Sequence, residues 1–123
     1  MSVINKEKIR ILIVDDDKSI VEFLQMGLNY EGFIVYTAFN GNDAITLVKK
    51  FKPHIVLLDV LLPGINGYEV CSKIKKSVNA SIFILTARDD IDNEFHTLNI
   101  KADNYLIKPF KFSELLRLIN GTI

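Results

Sequence analysis

The fold of this chain is indicated by an apolar run that ends in acidic residues, Ile11-Leu12-Ile13-Val14-Asp15-Asp16-Asp17. A second run, Ile55-Val56-Leu57-Leu58-Asp59, and a third, Tyr105-Leu106-Ile107-Lys108-Pro109, also end in charged groups. Short, continuous apolar runs are typical of parallel strands that helices cover on both faces. Open parallel sheets hold their ligands at the carboxyl ends of the strands. The charged residues at these ends are therefore candidates for a functional site.

The apolar runs alternate with helix-like segments along the chain. The predicted strands are 9–14, 33–37, 54–58, 81–85 and 104–107. Such alternation implies right-handed crossovers, which place helices on both faces of the sheet. The sequence therefore predicts a three-layer, doubly wound α/β fold with a five-stranded parallel sheet, (βα)5.

The helices are predicted from apolar spacing and from residues that end helices. In the first, Ile20, Leu24 and Leu28 recur every four residues, and Gly32 supplies a C-terminal stop. The second begins near 40–42, with Pro53 as its stop. The others are predicted at about 67–76, 90–99 and 113–120, the last with Ser113 as its N-cap.

Length and composition indicate one ordinary globular domain. The chain has 123 residues, which is enough for a single core, and its 15 basic and 15 acidic residues balance. Zero net charge argues against direct binding of nucleic acid or of an anionic membrane, since both usually need a basic face. Residues 1–8 are predicted to be a polar lead-in without an apolar signal core, and any output domain would lie beyond residue 123. The lone Cys71 excludes an internal disulfide and fits a reducing cytoplasm.

The acidic residues at the strand ends predict a cation site. In a parallel sheet, Asp15, Asp16 and Asp59 emerge at the same edge, where their carboxylates repel one another unless a cation intervenes. Mg²⁺ is the expected ion, with Mn²⁺ as an alternative, because a hard divalent cation prefers carboxylates, a carbonyl and waters. Lys108 adds a compact positive charge suited to a phosphoryl oxygen. This set suits an aspartate nucleophile that accepts a phosphoryl group in an in-line transfer.

Some polar and small residues near the strand ends are candidates for phosphoryl contact, and others are explained by helix capping. The Thr86 hydroxyl would bond the same phosphoryl group, and the small Ala87 would leave room for it. Asp17 and Ser19 are more simply explained as turn or N-cap residues of the first helix.

Four motifs occur in a fixed order after successive predicted strands. They are Asp15-Asp16-Asp17, Asp59-Val60-Leu61-Leu62-Pro63-Gly64-Ile65-Asn66-Gly67, Thr86-Ala87-Arg88 and Lys108-Pro109-Phe110. In this order they resemble the receiver domain of bacterial two-component response regulators, over essentially the whole chain. The resemblance implies a flavodoxin-like receiver fold.

The resemblance also implies a role for each motif residue. Asp59 is expected to be the phospho-acceptor. Asp16 would bind the metal directly, Asp15 would act mainly through water, and the Leu61 carbonyl would complete the coordination. The remaining implied roles are phosphoryl contact by Thr86, Ala87 and Lys108, switching by Thr86 and Tyr105, loop shaping by Pro63 and Gly67, and a cis peptide bond at Lys108-Pro109.

By the same resemblance, the chain is a phosphorylation-activated regulatory domain that catalyses only its own Mg²⁺-dependent phosphorylation and dephosphorylation. The donor is expected to be a sensor histidine kinase or a phosphotransfer protein, docked on the first helix near Ser19, Ile20 and Phe23. The output would be a winged-helix DNA-binding domain or another partner. A homodimer would form through the fourth helix, fifth strand and fifth helix, where Asp103 and Glu114 occupy matching positions.

Three other functions are consistent with parts of this pattern. A stand-alone phosphorelay receiver would have the same motifs without an output domain. A metal-dependent phosphohydrolase also uses an aspartate nucleophile, but it needs an acid-base carboxylate close to that nucleophile, and Val60 and Leu61 follow Asp59. A flavodoxin-like binding module needs a phosphate-cradling loop, and the first strand-helix turn is acidic and lacks glycine.

Overall fold

The structure is a parallel α/β sandwich. The computed structural model describes residues 9–62, 67–86 and 102–123. Its strands are β1 (Arg10–Val14), β2 (Ile34–Ala38), β3 (Ile55–Asp59), β4 (Ser81–Thr86) and β5 (Asn104–Ile107). Its described helices are α1 (Lys18–Tyr30), α2 (Gly41–Phe51), α3 (Gly67–Ser77) and α4 (Phe112–Thr122). The predicted fourth helix, 90–99, and the lead-in, 1–8, lie outside the described residues.

The strands form one five-stranded sheet in the order β2-β1-β3-β4-β5. All of the pairings are parallel. The predicted doubly wound, flavodoxin-like fold is thus confirmed, and β1 and β3 lie side by side at its centre.

Two apolar clusters cover the two faces of the sheet. Within β1, Leu12 and Val14 belong to the cluster shared with α2 and α3. Ile11 and Ile13 belong to the cluster shared with α1 and α4. Each fully buried aliphatic side chain of this size contributes about 1.5–3 kcal/mol relative to exposure. Burial on both faces explains why the strand sequence is continuously apolar rather than alternating.

The helix ends agree with the sequence at α1 and differ from it at α4. Asp17 is the N-cap of α1, where its carboxylate accepts the N–H groups of Ser19 and Ile20 at 3.0 and 3.4 Å. The prediction that Ser113 caps the last helix was wrong, since α4 begins at Phe112 after Lys111, which makes no side-chain cap bond. A cap is worth about 1 kcal/mol. Phe112 packs instead into the apolar cluster beneath α1, and that burial favours the earlier start.

Three strands extend one residue beyond their predicted ends: β2 ends at the apolar Ala38, and the other two end at polar residues. β3 includes Asp59, which pairs with Leu85, and β4 includes Thr86, which pairs with Ile107. A polar residue at the carboxyl end of a buried strand still forms ladder hydrogen bonds, so polarity alone does not end the strand. Both residues are consequently positioned by the rigid sheet rather than by a loop.

Two further findings concern the cysteine and the helices. Cys71 is buried within α3, and burial raises the pKa of its thiol, as expected for a structural cysteine. Among the described residues, no helix has the length and apolar character needed to cross a membrane.

Candidate functional site

Three carboxylates converge at the carboxyl ends of the two central strands. Asp15 and Asp16 follow β1, and Asp59 ends β3. Each offers an oxygen, and these oxygens all lie within 4.8 Å of one another. Asp15 and Asp59 are 0% and 6% exposed, whereas Asp16 is open to solvent. This set of hard oxygen donors, with one accessible member, fits a divalent cation such as Mg²⁺.

Lys108 crosses from the end of β5 to join two of these carboxylates. Its Nζ donates to Asp15 Oδ2 at 2.8 Å and to Asp59 Oδ2 at 3.2 Å. Burial acts to lower the pKa of Lys108, but the hydrogen bond to Asp15 and the charge of Asp59 outweigh it, so the pKa is raised. The ammonium group therefore stays charged and offsets part of the carboxylate repulsion.

The environment of Asp59 opposes its ionisation. Burial is the largest influence and raises the pKa of this carboxyl, and the charge of Asp15 adds to the increase. The Leu61 N–H, at 2.9 Å from Asp59 Oδ1, and the charge of Lys108 act in the opposite direction without cancelling it. The carboxylate is thus destabilised, and an added cation would relieve it.

The other acidic residue of the buried pair is held by the backbone. Asp15 Oδ1 accepts the N–H of Asp17 at 3.0 Å, and the Asp15 N–H donates to the Ala38 carbonyl at 3.2 Å. Asp15 is therefore fixed on both sides, by β2 and by the turn into α1.

Val60, directly after Asp59, lies against the first residue of α3. A Cβ atom on Gly67 would collide with the backbone of Val60, so this approach requires glycine. Leu61 is 55% exposed. Pro63, which the sequence assigned to the same loop, lies outside the described residues, as does Ala87.

Thr86 and Tyr105 lie on the neighbouring strands β4 and β5. Thr86 is 1% exposed, and its carbonyl accepts the N–H of Lys108 at 2.8 Å. Tyr105 is paired with Ile84 and is 40% exposed. The Lys108-Pro109 peptide bond is cis.

An apolar groove of about 390 Å³ lies beside Lys108. It is lined by Ile20, Phe23, Leu24, Lys108, Pro109 and Phe110. The sequence pointed to Ile20 and Phe23 but not to the contribution of Pro109 and Phe110. The apolar Phe110 directly after the Lys-Pro pair was the available signal for it.

The strand order and the acidic edge define the class of protein as a flavodoxin-like parallel α/β domain with a carboxylate-lysine site. The family model described as the response regulator receiver domain matches residues 11–120. The chain belongs to this family, and it is a phosphorylation-activated switch domain of two-component signalling.

Solved structures of response regulators have the same fold. A two-component response regulator from Clostridium difficile is 27% identical, with a TM-score of 0.86 over 94% of this chain and 95% of that one. A putative response regulator from Chloroflexus aurantiacus is 34% identical, with a TM-score of 0.79 over 92% and 95%. The chemotaxis response regulator CheY4 of Vibrio cholerae is 26% identical, with a TM-score of 0.79 over 94% and 98%.

Proposed function

We propose that Asp59 accepts the phosphoryl group in this receiver domain, in a reaction that depends on Mg²⁺ held by Asp15, Asp16, Asp59 and the Leu61 carbonyl. The observation that carries the proposal is the convergence on Asp59 of two further carboxylates from the end of β1 and of Lys108 from the end of β5. Asp16 is the exposed carboxylate and would bind the ion directly. The buried Asp15, already bound to Lys108, would act mainly through water.

The proposed step is an in-line phosphoryl transfer. An Asp59 carboxylate oxygen forms a P–O bond while the P–N bond to a donor histidine breaks, and the imidazole leaves with the bonding electron pair. Bound Mg²⁺ would neutralise charge on the phosphoryl oxygens. Lys108 Nζ, Thr86 Oγ1 and Ala87 would contact the other phosphoryl oxygens. Lys108 is already within 3.2 Å of Asp59, so it needs little movement to do so.

Thr86 and Tyr105 are proposed to report phosphorylation to the surface. Thr86 would move toward the phosphoryl group, and the Tyr105 ring would turn inward into the space that it leaves. A phosphoryl group can shift this equilibrium only by binding one arrangement better than the other. The output would be a DNA-binding domain or a partner protein, and the setting would be the cytoplasm.

The acceptor is tested by the intact mass of the protein after incubation with acetyl phosphate and Mg²⁺. We expect one phosphoryl adduct in the wild type and none in Asp59→Asn. The matched control is Asp17→Asn, which removes a neighbouring carboxylate but retains an N-cap residue, so its adduct should persist. An adduct that survives in Asp59→Asn would contradict the assignment, and steady turnover of small phosphate esters would favour a phosphohydrolase.

The donor is proposed to be a histidine kinase or a phosphotransfer protein that docks on α1. The apolar groove beside Lys108 includes Phe23 of α1, which is 56% exposed. A partner that fills this groove would bring its histidine to the edge of the sheet that holds Asp59. Apolar anchors in such grooves commonly dominate the binding energy.

This docking face is tested by a charge placed on it. Phe23→Glu should lose phosphoryl transfer from a phosphorylated kinase and keep labelling by acetyl phosphate. Thr46→Glu, at an exposed position of α2 on the other face of the sheet, should keep both. Loss of acetyl phosphate labelling in Phe23→Glu would show damage to the site rather than to docking.

A homodimer through the predicted fourth helix, β5 and α4 is proposed as the output state. Glu114 is exposed in the first turn of α4 and is available to a partner. Asp103 is bound within its own chain to Lys75, so a dimer would have to share or replace that contact. Sedimentation before and after phosphorylation tests this, and a monomer in both states would contradict it.

A further inference from the structure

Asp103, directly before β5, makes three polar contacts. Its Oδ2 accepts the backbone N–H of Ile82 at 2.7 Å and the Nζ of Lys75 at 3.2 Å. Its own N–H donates to the Ile82 carbonyl at 2.9 Å. Asp103 therefore binds both backbone groups of one β4 residue, one with its main chain and one with its side chain.

These contacts lie where the β4–β5 ladder has not yet begun. The paired residues start at Phe83 and Asn104 and end at Thr86 and Ile107. The Ile82 N–H lies outside that pairing, and the Asp103 carboxylate supplies the acceptor that a longer β5 would otherwise provide. An unmatched backbone N–H would cost free energy.

The register of β5 decides where the lysine of the site lies. β5 is a four-residue edge strand, and β4 is its one neighbour among the described strands. Lys108 follows it directly and reaches Asp15 and Asp59 from there. A slip of the strand by one residue would reverse the direction of its side chains and withdraw Lys108 from the site.

We infer that Asp103 is a positioning residue for Lys108: its bond to the Ile82 N–H fixes the register of β5 and so places the ammonium group beside Asp59. The inference rests on the proposed phosphoryl transfer to Asp59. The Lys75 ion pair has a lesser part in it, because both of its side chains are more than a third exposed and solvent screens it.

The experiment compares three variants with the wild type. Asp103→Ala removes both side-chain contacts, to the Ile82 N–H and to Lys75. Asp103→Asn keeps an oxygen for the Ile82 N–H, and Lys75→Met removes only the ion pair. For each protein we would measure the rate constant of phosphorylation by acetyl phosphate at saturating Mg²⁺, and the Mg²⁺ affinity by calorimetry. Hydrogen exchange of the Ile82 amide is followed in the metal-free proteins.

Asp103→Ala should slow phosphorylation about tenfold or more, since small displacements of a catalytic group have effects of this size. Asp103→Asn should restore most of the rate, and Lys75→Met should stay near the wild type. Mg²⁺ affinity should not fall in any variant, because the carboxylates proposed to bind the ion lie at the ends of β1 and β3. The Ile82 amide should exchange slowly in the wild type and in Asp103→Asn, and quickly in Asp103→Ala.

Three results would overturn the inference. They are a wild-type rate in Asp103→Ala, an Asp103→Asn variant as slow as Asp103→Ala, or a loss of Mg²⁺ affinity that parallels the loss of rate. A wild type that takes up no phosphoryl group would refute the proposed function instead. Fast exchange of the Ile82 amide in the wild type would refute the register contact by itself, whatever the variants do.

Discussion

Replacement of Gly27 by alanine should destabilise the protein, although alanine is the better helix former. Gly27 lies within α1, where the change to alanine alone would contribute about 1 kcal/mol. A Cβ atom at this position would lie 2.5, 2.7 and 3.1 Å from three ring atoms of Phe112. Ordinary carbon contacts are about 3.5–4.0 Å, so the ring must move.

The cost of that movement follows from what holds the ring. Phe112 lies edge-on to Phe23, with centroids 6.0 Å apart and planes at 85°, and an aromatic pair of this kind is worth about 0.5–1.5 kcal/mol. Overpacking a filled site typically costs about 1–3 kcal/mol more. After subtracting about 1 kcal/mol for helix propensity, we expect Gly27→Ala to lower the free energy of unfolding by about 0.5–3.5 kcal/mol.

Urea unfolding of four proteins measures this: the wild type, Gly27→Ala, Phe112→Ala and the double variant. In the Phe112→Ala background the ring is absent, so Gly27→Ala should there become stabilising by up to about 1 kcal/mol. The effect must change sign between the two backgrounds. If Gly27→Ala stabilises both, the helix term dominates and the packing argument fails.

Three further changes have definite expected results. Because burial raises the pKa of Asp59, ionisation of this carboxyl disfavours the metal-free fold. The contribution of Asp59 to stability is greatest below the ordinary carboxyl pKa of 3.8 and is lost as pH rises through the raised value. Asp59→Asn should therefore raise the melting temperature at neutral pH without Mg²⁺ and leave it almost unchanged in acid. Burial and the charge of Arg10 lower the pKa of His54, whose Nδ1 accepts the backbone N–H of Arg10 at 3.0 Å. The stability from this contact is present above the ordinary pKa of 6.5 and is lost as pH falls through the lowered value. His54→Asn should therefore reduce the fall of the melting temperature over that pH range. Gly67→Ala should cost roughly 2–4 kcal/mol in urea unfolding because its Cβ meets backbone, whereas Gly121→Ala, with open space around it, should not destabilise the protein.

The sequence could predict the architecture because the signal for it is local. Continuous apolar runs such as the one ending at Val14 are typical of strands covered on both faces, and the structure confirms the five-stranded sheet. The N-cap of α1 at Asp17 also followed from neighbouring residues alone. The start of α4 did not, because the packing of Phe112 against the distant Gly27 outweighs the capping preference of Ser113.

The sequence could predict which side chains of the candidate site lie together, but not which contacts they make. The sequence could place Asp15, Asp59 and Lys108 at one edge, because parallel strands share their carboxyl ends. That Lys108 bridges the two carboxylates depends on residues 93 and 49 positions away, whose distances no local pattern encodes. The same holds for Asp103, whose partner Lys75 is 28 residues away.

The position of Lys108 links the proposed phosphorylation of Asp59 to an edge strand of the sheet. Asp59 lies at the end of β3, a central strand that pairs with β1 on one side and with β4 on the other. Lys108 follows β5, an edge strand of four residues that pairs with β4 among the described strands, and this strand also carries Tyr105. The proposed phosphorylation would change the charge that Lys108 neutralises, and among the described strands β5 has fewer neighbours than β3. We therefore expect structural change to concentrate in β5 and at its contact with β4, and to leave β1 and β3 in place.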